Sequence, residues 1–561
     1  MNISLHTGRR RLWACAAPLA LLGACNDSNF SSTTAPPVDT VGPSIVAGPL
    51  LAEGPNPFAP LAAQLQLELD EPASLRLSIF DGDRTQEVEF SGLSTTHDVP
   101  VLGVAAGRTA DIDVILTDKA GNETTTQLQW VAPELPANFP PLTVTVLDPD
   151  RMEPGLRLMP MSRIDPDSGL AGTFITAIDD RGEVVWFVES PWRTGMVERL
   201  ANGNLLVNIN NVWMTEIGPY GLPQQVWYAD GQLEDPSTLT EGTILVNTDA
   251  LHHEIIETPD GWEGDFLGIG LTRQSIFGYP IDEVELTPAD IAVDVAGDEI
   301  VEFNRDGSIV RRWSMFDLID PLRLSYDSLL GFWTNLYGGY NADWTHGNGL
   351  AYDAEENLIL VSLRHQESVV AFDPDTSELV WILGDPSRWE FPYDQYLLDP
   401  IDAGGLGDPD FEWTYHQHAP LLTGNGRLML FDNGNQRAVP PTEQLPDPER
   451  YSRAVEFEID RTNRTVRQVW EYDGTGVEDP WYSRALGDVD QLPTTGNILV
   501  TDGWRITTPD NDPTGPAWAR VFEVTHSETP EIVFEATVRD PDPESPARWI
   551  VYRGEWIASL Y

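Results

Sequence analysis

The sequence predicts an all-β protein: a six-bladed β-propeller preceded by an immunoglobulin- or fibronectin-III-like β-sandwich. Three observations carry that reading. A unit made of an apolar run, an acidic or glycine turn and a strand ending in an aromatic residue occurs six times beyond Pro140, at 173–186, 214–227, 300–313, 369–381, 455–470 and 521–534. A second kind of hairpin falls between these units, at 199–207, 254–269, 349–363, 420–431 and 491–501, with turns such as Asn202-Gly203-Asn204, Gly424-Asn425-Gly426 and Thr495-Gly496-Asn497. Upstream, 42–130 holds short alternating runs separated by Asp81-Gly82-Asp83 and Lys119-Ala120-Gly121-Asn122, which is the spacing of a sandwich.

In chain order, residues 1–24 read as an export signal: Arg9, Arg10 and Arg11 are followed by an apolar run over 12–22. The ending Leu21-Leu22-Gly23-Ala24-Cys25 resembles a bacterial lipobox, so Cys25 is expected to become the acylated N-terminus of a lipoprotein. Residues 25–41, rich in Ser, Thr, Pro and Asp, cannot bury enough surface to fold and read as a flexible tether. The sandwich is expected over 42–138, where no titratable cluster stands out and a positioning role is the better reading. The propeller is expected over 139–561. Two hairpins make one four-stranded blade, uneven spacing of the terminal aromatics requires insertions between blades, and the segment from Trp549 to Tyr561 is expected to close the ring. Cys15 and Cys25, the only cysteines, both lie in the export segment, so no structural disulfide is expected.

Composition excludes whole classes of function. The 561 residues carry 89 acidic against 33 basic side chains, a net charge of −56. Nucleic acid and anionic lipid need a basic face and counterion release that this surface cannot supply. With 41% hydrophobic and 22% charged residues the chain is nonetheless globular rather than an acidic tail. No stretch after the signal reaches about 18 uninterrupted apolar residues, so membrane contact is expected only through the lipid anchor. Lys119 is the only lysine, and every other cation is an arginine.

Histidine placement is the most informative feature. Of nine histidines, five fall at the start of the inner hairpin in three successive blades: His252 and His253, His346, then His416 and His418. Eight residues before Gly261 and Gly426 stand His253 and His418, and the equivalent position in the blade between them is Asn348. Radial equivalence converges these side chains on the propeller axis. Strand alternation would put His346 on one face with Asn348, and His416 with His418, leaving His252 and His416 as alternatives to their neighbours. Arg364 stands at the end of the strand that pairs with the one carrying His346. Its planar fork suits a tetrahedral oxyanion such as sulfate or phosphate.

These motifs, Asp249-Ala250-Leu251-His252-His253-Glu254-Ile255, Asp343-Trp344-Thr345-His346-Gly347-Asn348-Gly349, Ser362-Leu363-Arg364-His365-Gln366 and Tyr415-His416-Gln417-His418-Ala419, together resemble the bacterial arylsulfate sulfotransferases from about Pro140 onward. The resemblance implies an exported enzyme, often a homodimer, that moves a sulfuryl group from a phenolic sulfate donor to a phenolic acceptor. It implies no adenosine-phosphosulfate donor and no cofactor or metal. Transfer would run through a sulfated histidine, carried over by motif to His418, with His346 and Arg364 catalytic and His253, Asn348, His252 and His416 as substrate-binding candidates. Some family members have a disulfide near this segment, which this chain cannot form. The chemistry suits the residue types on its own terms: a neutral imidazole attacks sulfur, a covalent intermediate gives ping-pong kinetics, and donors stabilise charge on the sulfuryl oxygens. His346 is expected to protonate the departing phenolate and deprotonate the acceptor.

Two other classes fit the pattern less well. Histidines from several blades could hold iron, as in four-histidine propeller oxygenases, but a guanidinium beside a cationic metal is electrostatically poor and the His-x-Asn pattern replaces one ligand. A non-enzymatic binding propeller leaves the histidine–arginine cluster unexplained. Lone His365 and His526 read as structural, Trp344 and Trp413 as blade packing before aryl stacking, and Asp373-Pro374-Asp375 and Asp408-Pro409-Asp410 as solvated turns rather than calcium sites.

Overall fold

The structure, a computed structural model, describes residues 39–561 except 165–171, 234, 475–480, 508–514 and 543–544. The export segment and Cys25 lie outside the described residues. Five N-terminal strands, Ile45–Glu53, Ala63–Phe80, Thr85–Val101, Thr109–Asp118 and Glu123–Val131, form one hydrogen-bonded sheet. The long second strand pairs with the first along residues 63–69 and with the fourth along 73–80, while the third follows its other edge. The register breaks between Glu68 and Ala73, so the sheet bends there. Alternating Leu65, Leu67 and Leu69 before the bend, and Leu75, Leu77 and Ile79 after it, enter one core with Ile112, Val114 and Leu116. Among the described residues the N-terminal unit is thus a single five-stranded sheet rather than two separate ones.

Beyond it the strands form six blades. Blade I combines Leu156–Ile164, Thr173–Ile178 and Val184–Ser190 with Arg548–Val551 and Glu555–Ile557, which pair with the first of these. Blade II is Thr194–Arg199, Leu205–Ile209, Trp213–Ile217 and Pro223–Ala229, and blade III is Leu251–Glu257, Phe266–Phe277, Ala292–Phe303 and Ile309–Ser314. Blade IV is Gly347–Asp353, Leu358–Leu363, Ser368–Phe372 and Leu379–Gly384. Blade V is His418–Leu422, Leu428–Asp432, Arg453–Asp460 and Thr465–Tyr472. Blade VI is Asp488–Gln491, Ile498–Ile506, Ala517–Val524 and Ile532–Val538, extended at its outer edge by Leu142–Leu147. Both ends of the propeller sequence are therefore stitched into the ring: 142–147 finishes blade VI and 548–557 finishes blade I. The insertion at 271–298 is no irregular loop; its two strands stay paired out to Phe277 and Ala292.

The aromatic that ends each repeat has a physical job. Trp186, Trp227, Trp313 and Trp470 each donate an indole N–H to a backbone carbonyl in a turn of the following blade, at Pro219, Arg305, Pro374 and Ser527. Each bond joins adjacent blades while the ring fills the space between them. Trp381 occupies the same station, but its buried Nε1 has no partner among the described residues, and in blade VI the position is Phe534.

Candidate active site

The innermost strands of all six blades surround the axis, and at one end of the three central ones the backbone departs from regular β geometry. His253, His346 and His416 have φ of 58°, 48° and 54°, in the left-handed region that non-glycine residues seldom adopt. The register also shifts between His252 and Ile255, Gly347 and Gly349, and His418 and Leu421. A bulge with a left-handed residue re-aims side chains, and such strain persists where the surroundings over-determine it. Simple alternation therefore fails here: His416 does not share an environment with His418, nor His346 with Asn348.

His418 is 3% exposed, and its Nδ1 lies 2.5 Å from Asn433 Oδ1 and 3.2 Å from the His416 carbonyl. Both partners accept, so Nδ1 carries the proton and Nε2 keeps a lone pair. Asn433 is itself fixed by donating to the carbonyls of Ser483 and Leu486 at 2.9 and 2.8 Å. Burial, then the charge of Arg364, holds the His418 pKa well below the usual histidine range, so the ring is neutral. His346 Nδ1 meets Asp343 Oδ2 at 2.5 Å. Burial pushes the Asp343 pKa up to about 6, leaving it ionised at neutral pH. Burial and Arg364 lower that of His346, so Nδ1–H donates to the carboxylate and Nε2 is a base. The His253 ring lies 5.0 Å from that of His346 and its pKa is likewise lowered, by burial and then by His252, His346 and His418.

Arg364 is held by the histidine that sequence reasoning set aside. His365 donates Nδ1–H to the Asp343 carbonyl at 2.6 Å, which leaves Nε2 to accept from Arg364 Nη1 at 2.5 Å. His252 and His416 lie deeper than the other histidines of the cluster. Each is fully buried. His252 Nδ1 contacts His253 Nδ1 at 2.7 Å and its Nε2 is 3.2 Å from Asp298. His416 sits between Asp327 at 3.1 Å and Glu367 at 2.9 Å. Although burial and Arg364 oppose it, those carboxylates raise its pKa above the usual histidine value. Each thus has a carboxylate within ion-pair distance of a ring nitrogen, although His252 Nε2 and His416 Nδ1 make no hydrogen bond among the described residues. Asn348 is also fully buried: its Nδ2 donates to the Gln417 carbonyl at 2.8 Å, tying blade IV to the turn that presents His418, and its Oδ1 has no partner among the described residues. Gly349 allows this approach, since a Cβ there would run into Pro420.

Asp327, Asp343, Glu367, Asn433 and Arg553 were not found from sequence. Asp343 lies three residues before His346, but nothing in a β pattern marks it as a partner. Arg553 pairs with Glu254 and donates to the Asn348 carbonyl at 2.8 Å. Below it, a cavity of about 370 Å³ on the axis is lined by Glu198, Glu254, Asp488, Asp490 and Glu555. Trp344 and Trp413 pack within blades, Trp344 fully buried against Phe316 and Trp413 against Phe411. Asp373 accepts from the backbone N–H groups of Asp375 and Thr376, and Asp408 from that of Asp410, as ordinary turn residues do.

Asp327, His365 and His416, and also Asp343, His346 and His365, bring ligand atoms within 4.8 Å. Both sets require His365, whose two nitrogens are taken by the Asp343 carbonyl and Arg364. The sets are better described as an ion-pair network than as a ligand shell for a metal.

Neutral imidazoles and a buried guanidinium thus gather at one end of the propeller, a donor set that suits an oxyanion. The arylsulfotransferase (ASST) family model matches residues 144–553, and the chain belongs to that family. It is 31% identical over 343 residues to an arylsulfate sulfotransferase of Escherichia coli, covering 54% of this chain and 52% of that one. The corresponding protein of Lelliottia amnigena is 32% identical over 342 residues, covering 53% and 52%. The chain thus spans about half the length of these curated relatives. A β-propeller domain solved from Myceliophteria thermophila aligns at 9% identity and a TM-score of 0.28, covering 71% of this chain and all of that one.

Proposed function

We propose that this protein transfers a sulfuryl group from a phenolic sulfate ester to a phenol by a ping-pong reaction through a sulfohistidine on His418, without a nucleotide sulfate donor. The observation that supports it most is the Asn433–His418 hydrogen bond, which leaves Nε2 neutral and unprotonated beside Arg364. The Nε2 lone pair attacks sulfur, the S–O bond breaks, and its electron pair leaves on the phenolate oxygen, which takes a proton from His346. An acceptor phenol then attacks the same sulfur, its proton returns to His346, and the S–N bond pair goes back to Nε2. In the empty site His346 is a base. A bound sulfate ester adds negative charge among groups that otherwise repel a proton, which raises the His346 pKa toward the protonated form that the first step needs.

Arg364 stabilises the sulfuryl oxygens as they gain charge. From the Cys25 motif and the family resemblance we further infer a periplasmic lipoprotein working as a homodimer. The kinetic test varies 4-nitrophenyl sulfate at several fixed concentrations of phenol: parallel double-reciprocal lines are expected, and intersecting lines overturn the covalent route.

A further inference from the structure

Blade II contributes to the funnel a cation with no counter-charge. Arg193 stands immediately before the inner strand Thr194–Arg199, the station held by the histidines in blades III to V. In a chain of net charge −56, its guanidinium has no hydrogen bond or ion pair among the described residues. It is partly exposed yet crowded by protein, and the one charge effect acting on it comes from Tyr552. Tyr552, next to Arg553 in blade I, is 7% exposed, its ring lies 6.0 Å from that of His253, and its buried hydroxyl has no partner among the described residues. Blade II stands between the blades that carry Tyr552 and His253. Two donors without partners among the described residues therefore stand together, and one of them, Tyr552, adjoins His253. Leaving a desolvated cation and a buried hydroxyl without acceptors is costly, and an acceptor-rich anion removes both costs.

We propose that Arg193 and Tyr552 form a second anion subsite, which holds a carboxylate or second sulfate carried on the ring of the aryl substrate. The identity of the ligand as a phenol rests on the transfer reading above; the subsite itself does not.

Equilibrium binding of 4-hydroxybenzoate and of phenol to the full chain, by titration calorimetry at low salt, tests this without turnover. Wild type should bind 4-hydroxybenzoate at least about tenfold more tightly than phenol. Arg193→Gln should remove that ratio, Arg193→Lys should keep part of it, and Tyr552→Phe should reduce it. Equal affinities in wild type, or a ratio unchanged in Arg193→Gln, overturn the proposal. So does a ratio lost only in Arg364→Gln, which would place the carboxylate at the sulfuryl position. A chain with Arg193-dependent binding but no sulfated His418 would keep the subsite and lose the transfer reading, and the converse result would do the reverse.

Discussion

At His418 the question is which nitrogen attacks, and Asn433 answers it by fixing the proton on Nδ1. Asn433→Ala frees the ring to take the other tautomer, and kcat/KM should fall by roughly tenfold or more with the fold intact, measured with 4-nitrophenyl sulfate. His346→Ala should cost about 10²–10⁴-fold with a poor leaving group such as phenol, and distinctly less with 4-nitrophenol, because a good leaving group needs little protonation. An equal loss for both would remove His346 from the proton transfer. Much of this site was legible in sequence, since few histidines crowd equivalent strand starts without a shared purpose. What was not legible are their holders. Asn433, Asp327 and Glu367 come from distant turns, and the left-handed residues at His253, His346 and His416 break the alternation on which side-chain direction was inferred.

The repeat was readable at the level of elements because each unit ends in an aromatic, and the structure gives the reason: that residue bonds the next blade. Trp313 and Trp381 occupy equivalent stations, but only Trp313 has an acceptor, Pro374 O at 3.1 Å. Replacing each by Phe removes similar volume, so Trp313→Phe should destabilise by about 1 kcal/mol more than Trp381→Phe in denaturant titrations. Equal losses would mean that the bond contributes nothing beyond packing. Element boundaries were less legible. The arm around 271–298 carries exposed Phe277 on a strand that stays paired to Ala292, so polar and apolar alternation does not mark its length.

Over the whole molecule the axis is electrically divided. Arg364 and the histidine cluster occupy one end, and Glu198, Glu254, Asp488, Asp490 and Glu555 line the other. Burial and then repulsion from Glu254 push the Glu198 pKa up to about 8, and burial pushes that of Asp488 up to about 6. A carboxyl with a raised folded-state pKa binds a proton that the unfolded chain has already released, so its contribution is full below the unfolded value and is lost as pH rises through the folded one. Thermal stability should therefore decline between about pH 5 and about pH 8, and Glu198→Gln should flatten that decline; an unchanged slope would show that the acidic ring is solvated rather than strained. Net charge announced an acidic protein, but not that its acids would gather on the axis, since that depends on which inner-strand positions converge.

The most direct test of the central claim is the intact mass of the protein after brief incubation with an aryl sulfate and no acceptor. One added SO₃ per chain, absent in His418→Ala, unaffected by a chelator and discharged by phenol, is the predicted result. A wild-type chain that turns over substrate with no added mass, or an adduct that persists in His418→Ala, would contradict it.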